Sequence, residues 1–234
     1  MASRQTSSRF HTTSWTLVRR AESSREALEV LLAAYWSPVY AYLRCKGRQH
    51  ADASDLTQGF LTKVVEKRDL ITKADPDRGR FRTFLLSSLD NFVVDRLREE
   101  SGRSGTRPRF VPDDPKQLEA AEPSEQDDPT RAFERQWATT VLAMAVKRLE
   151  AECRAGGTER LWQVFEARLV AQDPVPVEQL VKSLGVLDRT KIHSMVQSAK
   201  RKYHAILRDE VARTVDEPAE VDIELANIKK FLAV

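Results

Sequence analysis

Between Ala51 and Glu100 apolar residues recur every three to four positions in two runs, and the polar residues between them form faces of different chemistry. In the first run Leu56, Phe60 and Val64 fall four apart with Leu61 beside them, which predicts an amphipathic helix. Asp52 and Ser54 are good N-cap types for it, and Asp55, Gln58, Thr62 and Glu66 lie largely on its polar side. Asp75, Pro76, Asp77 and Gly79 break the period and predict a turn. The second run, through Phe81, Phe84, Leu85, Leu89, Phe92, Val93 and Leu97, predicts another helix. Its other face carries Arg80, Arg82, Ser88, Asn91, Asp95, Arg96 and Arg98. An acidic-polar helix beside one with an arginine and amide face suggests one surface for a protein and one for nucleic acid.

The flanking sequence is helical in pattern as well. Thr13 or Ser14 can cap a short helix with Trp15, Leu17 and Val18, and Ser23 or Ser24 can start a longer one through Ala27, Leu28, Leu31, Leu32 and Tyr35. Pro38 removes a backbone donor and predicts a kink or break near Ser37, while Gly47 is the expected C-cap. The aromatic cluster Tyr35, Trp36, Tyr40 and Tyr42 has two readings, core packing and stacking on bases; aromatics at helical spacing more often build cores.

Ser101 to Thr130 holds five of the ten prolines and almost no period, and reads as a flexible linker with a basic first part and an acidic second part. Beyond it, Phe133, Trp137, Val141, Leu142, Ala145 and Leu149 line one helix face up to Gly156 and Gly157, and Leu161, Trp162, Phe165, Leu169 and Val170 belong to the next helix. After Pro174 and Pro176 comes a short helix with Val177, Leu180, Val181 and Leu184, closed by Gly185. Asp188 then caps a long helix, and Pro218 to Val234 form a last amphipathic helix through Val221, Leu225, Ile228 and Leu232.

Composition sharpens this picture. A hydrophobic content of 41% supports a core, and 31% charged residues with only eight glycines favour helices over a turn-rich β-fold. The expected fold is therefore all-α, two helical domains joined by a flexible linker. A net charge of +3 does not by itself declare a nucleic-acid binder, so any such role rests on local clustering. Cys45 and Cys153 are far apart and lack ligand spacing, which fits reduced thiols rather than a zinc site. The N-terminus lacks an apolar signal core, and no apolar run reaches the roughly 18–20 residues that span a bilayer, so a cytoplasmic location is expected.

His11, His50, His193 and His204 are scattered, and no phosphate-loop, zincin or nucleophile-elbow motif occurs. The chain reads as a binder with no cofactor rather than as an enzyme. Val177 to Arg208 has helix–turn–helix spacing, in which a second helix enters a major groove. Arg189, Thr190, Lys191, His193 and Ser194 sit near its start, and Lys200, Arg201, Lys202, His204 and Arg208 follow. Such cations neutralise phosphates; the alternative is a solvated helix face.

Five motifs carry a resemblance: HTTSW (His11–Trp15), YWSPVYAY (Tyr35–Tyr42), DLTQGFL (Asp55–Leu61), GRFRTFLLSSL (Gly79–Leu89) and FERQWA (Phe133–Ala138). Together they resemble the extracytoplasmic-function (ECF) type sigma factors of bacterial RNA polymerase, in the sigma-70 superfamily. The resemblance implies residues 1–100 as an N-terminal sigma-type helical domain, 101–130 as the linker and 131–234 as a C-terminal helix–turn–helix domain. It implies that Asp52, Asp55 and Gln58 face core RNA polymerase (β′ and β subunits), and that Arg80, Arg82, Asn91, Asp95, Arg96 and Arg98 meet the −10 element of promoter DNA. Arg189, Thr190, Lys191, His193, Ser194, Lys200, Arg201 and Lys202 would then serve the −35 element. The chain departs from the pattern at Asp90, Glu99, Glu100, Gln197 and Ser198, several of which replace basic residues. Two other readings stay open, a polymerase-docking adaptor without promoter reading and a stand-alone helix–turn–helix regulator. An anti-sigma factor or a kinase is a further partner such a protein admits.

Overall fold

The structure, a computed structural model, describes residues 24–66, 81–100, 128–186, 188–215 and 218–232. The HTTSW motif, the Asp75–Gly79 turn, Arg80 and most of the expected linker lie outside these residues. Every regular element among the described residues is helical, as the spacing predicts: α1 (Arg25–Cys45), α2 (His50–Glu66), α3 (Phe81–Glu100), α4 (Pro129–Ala155), α5 (Glu159–Phe165), α6 (Val177–Leu184), α7 (Arg189–Ala212) and α8 (Glu220–Leu232). A π-helical turn, Glu166–Val170, extends α5. None of these helices is long and apolar enough to cross a membrane.

Two compact units emerge, one of residues 1–140 with 211–234 and one of residues 141–210. These limits differ from a division at the linker. The start of α4 and all of α8 group with the N-terminal helices, and the second unit is an insertion between 140 and 211.

In the first unit, α1 runs unbroken through Pro38, so the break expected near Ser37 does not occur. Tyr35, Trp36, Val39 and Tyr40 around it are buried, and their burial offsets the one backbone hydrogen bond that the proline removes. This burial also settles the aromatic cluster as core: Trp36 and Tyr40 stack at 5.4 Å, and Tyr35 meets Phe81 edge-on at 5.5 Å and Phe133 face-on at 6.2 Å. Gly47 closes α1 with φ 81° while its N–H donates to the Arg44 carbonyl. The next helix starts at His50, earlier than the expected caps, so Asp52 lies inside the first turn, where a carboxylate suits the helix dipole. Gly59 lets α2 approach α3 closely, since a Cβ there would sit 3.3 Å from the Phe92 ring.

The contact that the sequence does not announce is ionic. Arg82 on α3 is 1% exposed. Its Nη2 donates to Glu224 Oε1 of α8 at 2.8 Å, and its Nε lies 3.1 Å from Glu134 Oε2 of α4. The guanidinium also covers the Trp137 ring at 3.8 Å. Burial opposes the charge, but the Glu134 and Glu224 carboxylates outweigh it and hold the Arg82 pKa above its usual value. Grouped with the polar face by its chemistry, Arg82 in fact lies three residues before buried Leu85 and seven before buried Leu89, on the inner stripe, where two carboxylates and an indole offer what water would.

In the second unit Val164, Leu180 and Ile192 form a buried cluster that joins α5, α6 and α7. Arg148 of α4 reaches Glu210 at 2.9 Å and Glu152 at 3.0 Å, and also pairs with Asp209.

Removing one partner from a buried ion pair leaves the other charge stranded. Glu224→Ala should therefore lower the unfolding free energy in urea by about 3–5 kcal/mol, whereas an alanine at exposed Lys229 should leave the midpoint near wild type.

Candidate nucleic-acid and protein interface

Two helices of the first unit present the expected surfaces. On α2, Asp52 and Asp55 are exposed and share a face, one turn apart. Gln58 is not on that face: it is buried, as is Thr57, whose hydroxyl donates to the Ala53 carbonyl at 2.7 Å. Position 58 falls three residues before buried Leu61 and so belongs to the inner stripe.

On α3 the outer stripe runs through Thr83, Ser87, Asn91, Asp95 and Arg98, all exposed, with Arg96 half-buried. Val94 and Leu97 add apolar surface, each 45% exposed. Asp95 and Arg98 lie 3.9 Å apart, so this carboxylate partly offsets the Arg98 guanidinium. This face offers an amide, hydroxyls and apolar patches more than phosphate-binding charge. That mixture suits unstacked bases better than a duplex backbone.

Asp90 acquires a different meaning in three dimensions. It accepts hydrogen bonds from Lys46 Nζ at 2.7 Å and from the Tyr42 hydroxyl at 3.0 Å, and so ties α3 to the end of α1. Lys46 also lies over the Tyr42 ring at 4.8 Å. A carboxylate here is a cross-link between helices rather than a lost phosphate contact.

In the second unit a short helix, α6, is followed by a long one, α7, as the spacing predicts. Pro176 precedes α6, and Gly185 ends it with φ 60°, donating its N–H to the Lys182 carbonyl. Asp188 Oδ1 accepts from the Lys191 N–H at 2.9 Å and caps α7. Leu180 and Ile192, both buried, pack α6 on α7. Arg189, Thr190, Lys191, His193, Ser194 and Arg201 are exposed, and Lys200 and Lys202 are half-buried. Some of this charge is already engaged: Arg189 pairs with Glu178 at 2.7 Å and Lys202 with Glu152 at 3.5 Å, while Arg201 donates to the Ser198 hydroxyl at 3.1 Å.

Of the residues expected to act together, Asp52 with Asp55, Asn91 with Asp95 and Arg98, and the start of α7 do share surfaces. Arg82 and Gln58 do not join them, and Arg80 lies outside the described residues. Glu134 lies within the FERQWA motif but, like Glu224, is not among the expected site residues. Their signal is there nonetheless: Glu224 lies three residues after Val221 and four before Ile228, on the apolar stripe of α8.

Comparison with known families bears on this geometry at one place. Residues 31–103, which contain most of α1 and all of α2 and α3, match the family model Sigma-70 region 2. No curated protein and no solved structure matches the chain.

The link among Lys46, Tyr42 and Asp90 sets a pH dependence. Burial raises the Tyr42 pKa above 10.0; for Lys46 burial pulls down, but hydrogen bonds to Asp90 and Tyr42 outweigh it and raise the value above 10.5. Both groups hold their protons more tightly when folded. Their stabilisation is thus complete below about pH 10 and lost as the pH rises through the raised values. The thermal midpoint should be flat near neutrality and fall above pH 10, and Asp90→Asn should blunt that fall.

Proposed function

We propose that the chain is a promoter-specificity subunit of bacterial RNA polymerase, of the ECF type. The observation that carries this reading is the Sigma-70 region 2 match laid over α1, α2 and α3, the helices that present the two candidate surfaces. In this reading Asp52 and Asp55 of α2 meet a basic surface of the core enzyme. Exposed carboxylates one turn apart give such an encounter its orientation and its rate.

On the neighbouring helix, Asn91, Asp95, Arg96 and Arg98 then face the −10 element where the strands part. Amide and hydroxyl groups read base edges there, and Val94 and Leu97 supply apolar surface for unstacked bases. The second unit reads the −35 element as duplex: the start of α7 enters the major groove, and Lys191, Lys200 and Arg201 serve the phosphates. The reaction belongs to the polymerase; this chain supplies address and strand separation.

An adaptor that docks but reads no promoter is the second reading. The low charge of the α3 outer stripe and the engagement of Arg189 and Lys202 by carboxylates favour it.

Co-purification with core polymerase tests the docking. Wild type should be retained, and Asp55→Arg should lose retention while keeping its helical circular dichroism; equal retention of both would refute the assignment of α2. The −35 role predicts a salt effect. Lys191→Ala and Arg201→Ala should each flatten the log–log dependence of promoter-duplex affinity on salt by about 0.9 of a unit, in the presence of core enzyme. Unchanged slopes would favour the adaptor.

A further inference from the structure

The first residue of α7 is tied to the first turn of α6. Arg189 Nη2 lies 2.7 Å from Glu178 Oε1. The helix dipole suits a carboxylate in the first turn of α6, which accounts for an acid at position 178 and not for its partner. Lys182, one turn on and exposed, is the partner that helical spacing offers, yet the carboxylate meets the start of α7.

Stability does not explain the pair. The Arg189 side chain is 69% exposed and that of Glu178 53%, and ion pairs so open to water contribute little. Such a pair gains strength where water is removed. The proposed −35 role, on which this inference rests, supplies that setting, since the start of α7 enters the major groove.

An arginine at a groove meets two kinds of acceptor. Phosphates draw it without regard to sequence, whereas guanine offers O6 and N7 in a geometry that a guanidinium meets with two donors. A guanidinium carries five N–H donors, so a bond to Glu178 leaves the two that guanine needs. The carboxylate also weakens the pull of the phosphates, because it offsets the charge they attract. A duplex without the guanine leaves a desolvated ion pair uncompensated, which penalises wrong sequences.

We propose that Glu178 is a positioning residue for promoter reading: it holds the Arg189 guanidinium for a guanine of the −35 duplex and away from the phosphates. Arg189 makes the specificity-determining contact, and Glu178 acts through it.

A pool of duplexes with a randomised −35 segment, captured by the full-length chain on core polymerase and sequenced, gives the base preference at each position. Wild type should select guanine at one position by about tenfold or more. Arg189→Ala should abolish that preference and leave the other positions unchanged. Glu178→Gln keeps the size and an acceptor oxygen but loses the charge, so the preference at the same position should fall to about threefold, and Glu178→Ala should abolish it. The double variant Glu178→Ala, Arg189→Ala should match Arg189→Ala alone.

Salt dependence supplies the second readout. With Arg189 released to a phosphate, Glu178→Ala should steepen the log–log dependence of duplex affinity on salt by up to about 0.9 of a unit, and the double variant should return it to the wild-type slope. Steepening that persists in the double variant means that Glu178 acts by its own charge, and overturns the proposal. Unchanged preference in either Glu178→Ala or Arg189→Ala, or a loss spread evenly over all positions, overturns it as well and leaves the −35 reading standing. Absence of any sequence preference in the wild-type complex overturns the −35 reading, and the positioning role with it.

Discussion

A guanidinium between two carboxylates and over an indole holds three helices of the first unit together. Arg82 comes from α3, Glu134 and Trp137 from α4, and Glu224 from α8. The consequence reaches the surface. An α-helix turns about 100° per residue, so a residue nine positions on lies about 180° away. With Arg82 turned inward, Asn91 must turn outward, and Asp95 and Arg98 fall within about 40° of it. The buried ion group thus sets the rotation of α3 and decides which of its side chains are exposed.

The same logic separates the two faces. Gly59 allows α2 to lie close on Phe92, and Phe60 meets that ring at 5.7 Å. Asp52 and Asp55 are thereby left outward on one helix while Asn91 and its neighbours are outward on the next. Lys46, Tyr42 and Asp90 add a polar link on the α1 side. An exposed carboxylate pair on one helix and an exposed amide-bearing stripe on the next are the physical basis of the proposed division between docking and reading.

Most of the secondary structure is legible in the sequence because period and punctuation agree. Gly47, Gly185 and Asp188 stop or start helices where their chemistry requires, and apolar residues three and four apart mark the inner faces. The fate of charged residues on those faces is hidden. Arg82, Glu134 and Glu224 each occupy a stripe position, and an arginine or glutamate read singly goes to the surface by its cost of burial. Only the set of three makes burial tolerable, and its members are far apart in the chain. Pro38 misleads for a related reason: a local rule predicts a break, and tertiary burial of its neighbours overrides it. The π-helical turn at Glu166–Val170 has no sequence signal that distinguishes it from a further turn of α5. Among the candidate site residues, Asp52, Asp55, Asn91 and Arg98 are exposed, since period alone assigns an outer face.

The central claim is that this chain gives core RNA polymerase a promoter. Mapping of transcript starts with purified core enzyme, genomic DNA and the full-length chain tests it most directly. The account predicts starts clustered at discrete sites that share two sequence elements and vanish when the chain is omitted. Transcripts that begin at the same scattered positions with and without the chain would contradict it.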